Sequence, residues 1–181
     1  MLTKKDHALV LGGSMAGLLA ARVLASHFTR VTLVERDVLP HEPGEHRRGV
    51  PQGRHTHGLL SSGGDVLEKL FPGITEELAH AGAVRGDIVE RGRWFHEGAC
   101  LCQTRSGLIG TTASRPFLEG YVRQRVRRVP NITILADTHA AGLLATPARD
   151  RVTGIVTERG QQIDADLVID STGRGSRGPD W

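Results

Sequence analysis

The sequence has little cysteine and no long apolar run. Its 181 residues include two cysteines. Cys100 and Cys102 stand one residue apart, which matches neither a disulfide framework nor the C-x-x-C spacing of redox and zinc sites. No stretch approaches the roughly 20 apolar residues of a membrane helix, and the apolar run near the N-terminus lacks a signal-type cleavage pattern. We therefore expect two free thiols, no membrane span and a cytoplasmic location.

Aromatic residues are also scarce, at 4% of the chain. The net charge is +3, but the arginines are scattered and have too few aromatic residues among them to form base-stacking platforms. Nucleic acid is therefore not an expected partner. The apolar and charged fractions, 39% and 24%, are ordinary for a globular protein, and the length predicts one domain over residues 1–181.

The glycine-rich stretch HALVLGGSMAGLLAARVL, residues 7–24, predicts the start of an α/β fold. We interpret His7–Leu11 as a buried strand, Ser14–His27 as a helix and Val31–Glu35 as a second strand. Strand, turn, helix and strand within about thirty residues is the size of a βαβ unit. A parallel sheet with helical crossovers is the expected architecture.

The turn in this stretch has the features of a dinucleotide-binding loop. Gly12 would permit the tight turn, Gly17 would let helix and strand pack closely, and the helix N-terminus would offer unpaired N–H groups to a diphosphate. Ser14 replaces the middle glycine of the pattern, and its hydroxyl could itself donate to a phosphate oxygen. Glu35 stands at the spacing of a ribose-binding carboxylate. Nucleotide binding is the favoured interpretation, and a glycine turn used only for packing is the alternative.

The rest of the chain changes character several times. Asp37–Leu60 is rich in proline, glycine and histidine, which predicts a long loop. Residues 139–173 predict a small antiparallel meander whose last strand, Leu167–Asp170, returns to the main sheet. Between them the pattern predicts two short helices, Leu59–Leu70 and Ile74–Ala81, and then the strands of a subsidiary sheet (at about 87–113) within Arg91–Thr112. A longer helix, Ser114–Arg128, and a third buried strand, Asn131–Asp137, follow.

Three separated motifs together resemble a known family. VLGGSMAGLLAARVL with VTLVERD, then SRPFLEGYVRQRV, and finally ADLVIDSTGRGSR are similar, in order and spacing, to the FAD-binding part of the glutathione-reductase-type flavoproteins. The similar branch holds aromatic-ring hydroxylases, squalene-epoxidase-like monooxygenases, flavin halogenases and geranylgeranyl reductases. The resemblance covers nearly the whole chain and implies a Rossmann-like FAD-binding domain with a central parallel sheet and an antiparallel three-stranded meander. It also implies an incomplete domain, because the family's second cofactor motif and substrate domain would lie beyond Trp181.

The resemblance implies FAD contacts residue by residue. The implied set is Gly12, Gly13, Ser14 and Gly17 at the pyrophosphate, Glu35 at the ribose of the adenosine half, Arg36 beside the adenine, Arg115 reaching back to the cofactor, and Asp170 and Gly173 in the final motif. The fork of Arg115 suits phosphate oxygens, and the alternative is a solvated arginine at a helix start.

The final motif departs from the family pattern. Hydroxylases of the family typically have Gly-Ala-Asp-Gly where this chain has Asp170, Ser171, Thr172 and Gly173, so Thr172 stands at the usual acidic position. In the family this motif is associated with both FAD and NAD(P)H. FAD stays the expected cofactor, while NAD(P)H and a separate flavin reductase are the two candidate sources of reducing equivalents.

Two further groups of polar residues have ordinary interpretations. His55 and His57 would share one face of a strand, but no carboxylate or thiol stands at a helpful spacing, so no metal site is expected. Their loop, residues 41–60, is either turned toward the cofactor or simply exposed. Asp65 and Glu68 are expected to be surface charges rather than a catalytic pair.

The expected activity of the full-length protein is a flavin-mediated oxidation. The resemblance implies that reduced FAD meets O₂ and that a flavin C4a-hydroperoxide transfers oxygen to an apolar or aromatic small molecule, with the protein orienting the cofactor. No residue is assigned as a general acid or base. The alternatives are a flavin reductase or dehydrogenase of isoprenoid-type substrates, and a non-catalytic nucleotide-binding fragment.

Overall fold

A computed structural model describes residues 5–47 and 50–181. Over these ranges it has α-helices at Met15–Leu24 (α1), Ser61–Leu70 (α2), Ile74–His80 (α3), Ile88–Arg91 (α4) and Arg115–Arg127 (α5). Its strands are Lys5–Leu11 (β1), Phe28–Val34 (β2), Thr56–Leu59 (β3), Val84–Asp87 (β4), Phe95–His96 (β5), Ala99–Cys100 (β6), Ile109–Ser114 (β7), Ile132–Leu135 (β8), Ala140–Ala145 (β9), Val152–Thr157 (β10), Gln162–Asp164 (β11) and Leu167–Asp170 (β12). Short 3₁₀ turns cover Pro51–Arg54, Gly173–Gly175 and Gly178–Asp180.

The main sheet is parallel and buried on both faces. Its strand order is β12-β1-β2-β8, and each neighbouring pair runs parallel. Ala8 and Val10 of β1 pack into the cluster formed with α1, α2, α3 and α5. Leu9 and Leu11, on the opposite face, pack against the meander. This double burial explains why Ala8–Leu11 of β1 are continuously apolar rather than alternating.

The predicted βαβ unit is confirmed, with changed boundaries. Helix α1 ends at Leu24 rather than His27, because the amides of Ser26 and His27 bond to carbonyls three residues back and close a turn. The Asn131 side chain donates to the carbonyls of Ala25 and Phe28 and holds this turn against β8. Strand β2 consequently begins at Phe28, three residues before the predicted start.

The subsidiary sheet differs most from the sequence prediction. It has the order β3-β7-β4 with antiparallel pairs. Its first strand, Thr56–Leu59, lies inside the segment predicted to be a loop, so that prediction is wrong for these residues and the following helix begins at Ser61. A four-residue strand that contains a glycine has no recognisable period, and only pairing with β7 defines it. Within 91–112 the strands are the two-residue β5 and β6 and the start of β7.

One buried carboxylate organises the excursion between β4 and β7. Asp87 ends β4 and is 5% exposed. It accepts hydrogen bonds from the amides of Val89, Glu90, Ser106 and Gly107 and from the Ser106 hydroxyl. Burial alone would raise the pKa of Asp87, but these donors outweigh it and lower the pKa well below its ordinary value. Asp87 thereby fixes the start of α4 and the return of the chain to β7.

The predicted meander and long helix are confirmed. Strands β9, β10 and β11 form an antiparallel three-stranded sheet, and β12 joins the parallel sheet beside β1. Ser114 caps α5 by accepting from the Phe117 amide at 3.3 Å, and Pro116 occupies the first turn. No helix within residues 5–47 and 50–181 is long and apolar enough to cross a membrane.

Candidate functional site

A cavity of about 220 Å³ opens at the carboxyl ends of β1, β2 and β12. Its walls come from the glycine turn after β1, the segment that ends β2, the start of the meander and the chain after β12. Leu11, Val34, Ala140 and Trp181 supply apolar wall, while charged side chains supply much of the rest. In open α/β sheets, ligands bind at this edge of the strands.

The glycine turn is built for close approach of backbone to backbone. Gly12 has φ +95°, and a Cβ there would lie 2.7 Å from the carbonyl oxygen of Ser171. A Cβ at Gly17 would lie 1.7 Å from the carbonyl oxygen of Gly12. The conformation and the contact both require glycine at position 12, and the contact alone requires it at position 17. Both roles match the sequence prediction.

The N-terminus of α1 leaves backbone donors open. The first hydrogen bond within the helix runs from the Leu18 amide to the Ser14 carbonyl, at 2.9 Å. Ser14 is the N-cap residue, but its side chain makes no capping hydrogen bond. The amides of the first turn therefore have no partner within the helix, and the helix dipole adds partial positive charge at the same place.

The Ser14 hydroxyl points to α5 instead of capping α1. It donates to Oε2 of Glu119 at 2.8 Å and accepts from Nη2 of Arg115 at 3.0 Å. Arg115 is 17% exposed; its buried Nε lies 3.5 Å from Glu119 Oε2 and makes no hydrogen bond. Arg115 therefore contacts the glycine turn and is not a solvated arginine. Its role toward a cofactor stays a prediction.

Glu35 is buried in the cavity wall, directly after β2. Its Oε2 accepts from the Gly13 amide at 2.6 Å, and its Oε1 accepts from the Asp37 amide at 2.9 Å. Arg47 Nη1 also lies 3.1 Å from Oε2. A carboxylate has about four acceptor positions, so these three contacts leave about one position for a ribose hydroxyl. Arg36 follows and also lines the cavity.

Arg47 lies at the centre of the site, and sequence reasoning missed it. Its side chain is 6% exposed and lies 3.1 Å from Glu35, 2.8 Å from Asp37 and 2.9 Å from Glu119. Burial would lower the pKa of Arg47, but the carboxylates of Glu119 and Glu35 outweigh it and raise the pKa above its ordinary value. Arg47 is thus a permanent cation that pairs with three carboxylates.

Glu119 was missed as well, although the sequence held a signal for it. Its 4% exposed side chain lies among Arg47, Arg115 and Arg123, with its carboxylate 3.7 Å from Arg123. Burial is the largest influence on Arg123 and lowers its pKa. Residues 115, 119 and 123 are spaced four apart, so arginine, glutamate and arginine share one face of α5. That pattern marked Glu119, but nothing in the local sequence indicated that the face is buried.

The final motif reaches the cavity through residues other than those predicted. Ser171 and Thr172 line the cavity. Asp170 instead accepts from the amide and hydroxyl of Thr172 and from the Ser176 hydroxyl, which closes the turn after β12. Burial alone would raise the pKa of Asp170, but these hydrogen bonds lower it. Gly173 has φ +70° in the same turn, so both residues shape the turn that supports the wall.

The remaining polar candidates lie outside this cavity. His57 Nδ1 is 2.9 Å from the His55 carbonyl oxygen, and His55 is exposed. Among residues 5–47 and 50–181, no group of three or more histidine, cysteine, aspartate or glutamate side chains could hold a metal ion. Glu68 accepts from the amides of Gly73 and Thr75 between α2 and α3. Cys100 and Cys102 are free and exposed.

Comparison with known proteins connects this architecture to longer relatives. The chain matches no protein-family model. It is 37% identical over 194 residues to Protein Rv3254 of Mycobacterium tuberculosis (strain ATCC 25618 / H37Rv), an alignment that covers 98% of this chain and 40% of that protein. It is 26% identical over 182 residues to the chloroplastic zeaxanthin epoxidase of Oryza sativa subsp. japonica, covering 97% of this chain and 26% of that protein. The chain spans two-fifths or less of these relatives.

Solved structures share the fold. A mutant of 2-methyl-3-hydroxypyridine-5-carboxylic acid oxygenase superposes with a TM-score of 0.66 at 24% identity, over 98% of this chain and 42% of that one. PqsL of Pseudomonas aeruginosa, described as a probable FAD-dependent monooxygenase, gives 0.67 at 16% identity, over 92% and 42%. The Diels-Alderase PyrE3 gives 0.65 at 19% identity, over 92% and 32%. The predicted α/β class, with its parallel sheet and three-stranded meander, is confirmed.

Proposed function

We propose that this chain is the FAD-binding part of an FAD-dependent oxidoreductase of the monooxygenase type. The adenosine diphosphate half of FAD would occupy the 220 Å³ cavity. One observation carries the proposal: the open N-terminus of α1 and the buried carboxylate of Glu35 meet in one cavity at the carboxyl edge of a parallel sheet. The fold shared with the oxygenases supports FAD as the nucleotide.

The residues present fit a dinucleotide. The glycine turn leaves no space for a Cβ at Gly12 or Gly17, which keeps the backbone amides of α1 accessible to a diphosphate. Arg115 lies beside Ser14 at this turn, and its guanidinium adds a positive charge of the kind that suits phosphate oxygens. Glu35 retains about one acceptor position for a ribose hydroxyl beside its contacts with the Gly13 and Asp37 amides and Arg47. Donors for the diphosphate therefore lie at the glycine turn, and an acceptor for the adjoining sugar lies next to it at Glu35.

Each group has a defined task in this proposal. Gly12, Gly13, Ser14 and Gly17 form the loop around the pyrophosphate, and Glu35 orients the adenosine ribose. Arg36 lies at the cavity beside the adenine, and Asp170 with Gly173 maintains the turn behind Ser171 and Thr172. When bound, FAD would supply the redox chemistry, with oxygen transfer to an apolar or aromatic small molecule as the expected reaction. The chain's own residues bind and orient the cofactor.

FAD is favoured over NAD by the position of the meander. Glu35 suits the ribose of either dinucleotide. The segment that enters β9 lines the cavity with Thr138, His139 and Ala140, and Glu158 from the loop after β10 adds to it. A meander in that place belongs to the fold shared with the oxygenases and not to an alternating NAD domain. NAD(P)H and a flavin reductase remain the two proposed sources of electrons.

Ligand titration of the purified 181-residue chain tests the proposal. We expect saturable binding of FAD, seen as a change in flavin absorbance and fluorescence and by calorimetry, and little binding of NAD(H). Gly12→Ala should weaken FAD binding at least about ten-fold, because the new methyl group would meet the Ser171 carbonyl.

Gly82→Ala is the matched control, since Gly82 has φ +107° but no atom lies within 4 Å of the place that its Cβ would take. It should bind FAD like the unmodified chain despite the same backbone penalty. Preference for NAD(H) would indicate a nucleotide-binding module of another kind. A folded chain that binds neither dinucleotide would refute the proposal.

A further inference from the structure

The serine at the middle position of the glycine turn belongs to a closed ring of polar contacts. Ser14 Oγ donates to Glu119 Oε2 at 2.8 Å, and Arg47 Nε donates to Glu119 Oε1 at 2.9 Å. Arg47 Nη1 lies 3.1 Å from Glu35 Oε2, which accepts from the Gly13 amide at 2.6 Å. Because Gly13 and Ser14 are neighbours in the chain, these contacts return to their starting point.

The ring joins the two parts of the site that must be in register for a dinucleotide. Ser14 belongs to the turn that would surround the diphosphate, and Glu35 is the carboxylate that would hold the ribose. The connecting side chains, Glu119 and Arg47, are 4% and 6% exposed, so water does not compete strongly for their hydrogen bonds. The ring therefore fixes the distance between turn and carboxylate before any ligand arrives.

Ser14 also holds the cation at this turn. Its hydroxyl accepts from Arg115 Nη2 at 3.0 Å while it donates to Glu119. A glycine at position 14 would remove both bonds. It would leave Arg115 held only by its ion pair with Glu119 at 3.5 Å and would open the ring between Glu119 and the backbone.

We infer that Ser14 and Glu119 act as a positioning pair for the dinucleotide, so that serine is required where the glycine pattern has glycine. This inference rests on the proposed function, since the ligand it concerns is the adenosine diphosphate half of FAD. It reverses the expectation from the motif alone: restoring glycine at position 14 weakens binding. Ser14 acts through hydrogen bonds that place Arg115 and Glu35, and Glu119 acts through Ser14 and Arg47.

Because Glu119 is charged, a positioning role and a charge-neutralising role predict opposite effects of Glu119→Gln on diphosphate binding. Arg47, Arg115 and Arg123 balance the carboxylates of Glu35, Asp37 and Glu119. If Glu119 served only to neutralise arginines, Glu119→Gln would leave an excess positive charge and would strengthen the binding of a diphosphate. If Glu119 positions, the same change weakens binding, because Ser14 and Arg47 donate to different oxygens of Glu119 and glutamine replaces one of these acceptors with an NH₂ donor.

The experiment measures the dissociation constant of ADP, and then of FAD, by calorimetry on the 181-residue chain. Ser14→Ala and Ser14→Gly should each raise the dissociation constant about five-fold to ten-fold, the range of one or two lost hydrogen bonds. Glu119→Gln should raise it as well. The double variant Ser14→Ala with Glu119→Gln should lose less than the product of the single effects, because both break one ring.

Glu77→Gln is the matched control. Glu77 pairs with Arg125 of α5 at 2.6 Å and does not line the cavity. It should leave the dissociation constant unchanged. The unfolding midpoint without ligand is recorded for every variant, because a purely structural role would lower that midpoint without changing the affinity of the folded chain.

Each outcome decides the question. The inference is supported if the unmodified chain binds ADP and FAD and both Ser14→Gly and Ser14→Ala bind them more weakly, even if Glu119→Gln does not fold. The inference is overturned if the unmodified chain binds ADP and FAD and Ser14→Gly binds them equally well or more tightly. The proposed function then stays intact. Absence of ADP and FAD binding by the folded wild-type chain removes the proposed function and the inference with it.

Discussion

Two buried carboxylates, in two regions of the molecule, are satisfied in opposite ways. Glu119, beside the glycine turn, is 3% exposed and lies among arginine side chains from α5 and from the loop after β2. Asp87, in the subsidiary sheet, is 5% exposed and accepts hydrogen bonds from neutral backbone amides and a hydroxyl. Both carboxylates have polar partners, which are mainly charged arginine side chains for Glu119 and neutral donors for Asp87.

The difference follows from what each carboxylate connects. Asp87 is satisfied by residues within 20 positions of it, so it folds a local excursion of the chain. Glu119 reaches Arg47, 72 positions away, and Ser14, 105 positions away, so it joins three distant segments at the cavity. Amides suffice to fix a loop.

The largest effect should come from removing the central cation. Arg47→Met would leave Glu35, Asp37 and Glu119 without their shared partner, and breaking a buried ion pair costs about 3–5 kcal/mol. Chemical denaturation should show a loss of this size. Arg159→Met is the control, because the Arg159–Asp137 pair is 77% and 63% exposed and should contribute less than about 1 kcal/mol. Equal losses for the two variants would contradict the buried network.

A smaller, local effect is expected at the other carboxylate. Asp87→Asn would turn an amide group toward the backbone N–H donors of Ser106 and Gly107. Hydrogen exchange of these two amides should accelerate more than that of amides in the main sheet. Asp65→Asn, on α2, should leave both regions unchanged. Uniform acceleration across the chain would show that Asp87 supports the whole fold and not only its own excursion.

The pH dependence of stability should distinguish Asp87→Asn from the unmodified chain. The folded pKa of Asp87 lies below its ordinary value, so its contribution is present above the unfolded pKa of about 3.9 and is lost as the pH falls through the folded pKa. Denaturation midpoints of the wild type should therefore decline below about pH 4. Asp87→Asn should decline less steeply there.

The smallest expected effect concerns a buried histidine that, like Asp87, has neutral partners. His7 is 3% exposed, with Nδ1 2.6 Å from the Asp164 carbonyl oxygen and Nε2 2.9 Å from the Thr32 hydroxyl. Burial lowers the pKa of His7, so as the pH falls the unfolded chain takes up a proton at a higher pH than the folded chain does. Stability should fall as the pH drops below about 6.5. This loss should shrink in His7→Asn and persist in the control His80→Asn, because His80 is exposed.

Local chemistry made much of the fold predictable. The positive φ of Gly12, the Ser114 cap with Pro116 and the apolar run Ala8–Leu11 depend on neighbours in the chain, and all match the structure. The same holds for Glu35, which directly follows β2 where the prediction had it as the last strand residue. The contact of Gly12 with the distant Ser171 carbonyl does not depend on such neighbours. The boundaries that moved, at Leu24 and Phe28, depend on the distant Asn131 side chain, which no local pattern reveals.

The centre of the site could not be predicted in the same way. Arg47 lies in a segment rich in proline, glycine and histidine, where an arginine is ordinarily solvated, and its three carboxylate partners come from two other parts of the chain. Strand Thr56–Leu59 was missed for a related reason, since only its pairing with β7 gives it extended structure.

The sequence alone determined the βαβ unit, the glycine turn, the carboxylate that follows the second strand and the meander, because each depends on residue spacing and backbone preferences over a few tens of residues. The tertiary structure decided how Ser14 is used. A serine in a glycine turn is by itself a small departure from a pattern. Only folding brings α5 to that turn and places Glu119 Oε2 2.8 Å from the Ser14 hydroxyl. Burial strengthens this hydrogen bond because the local dielectric is low.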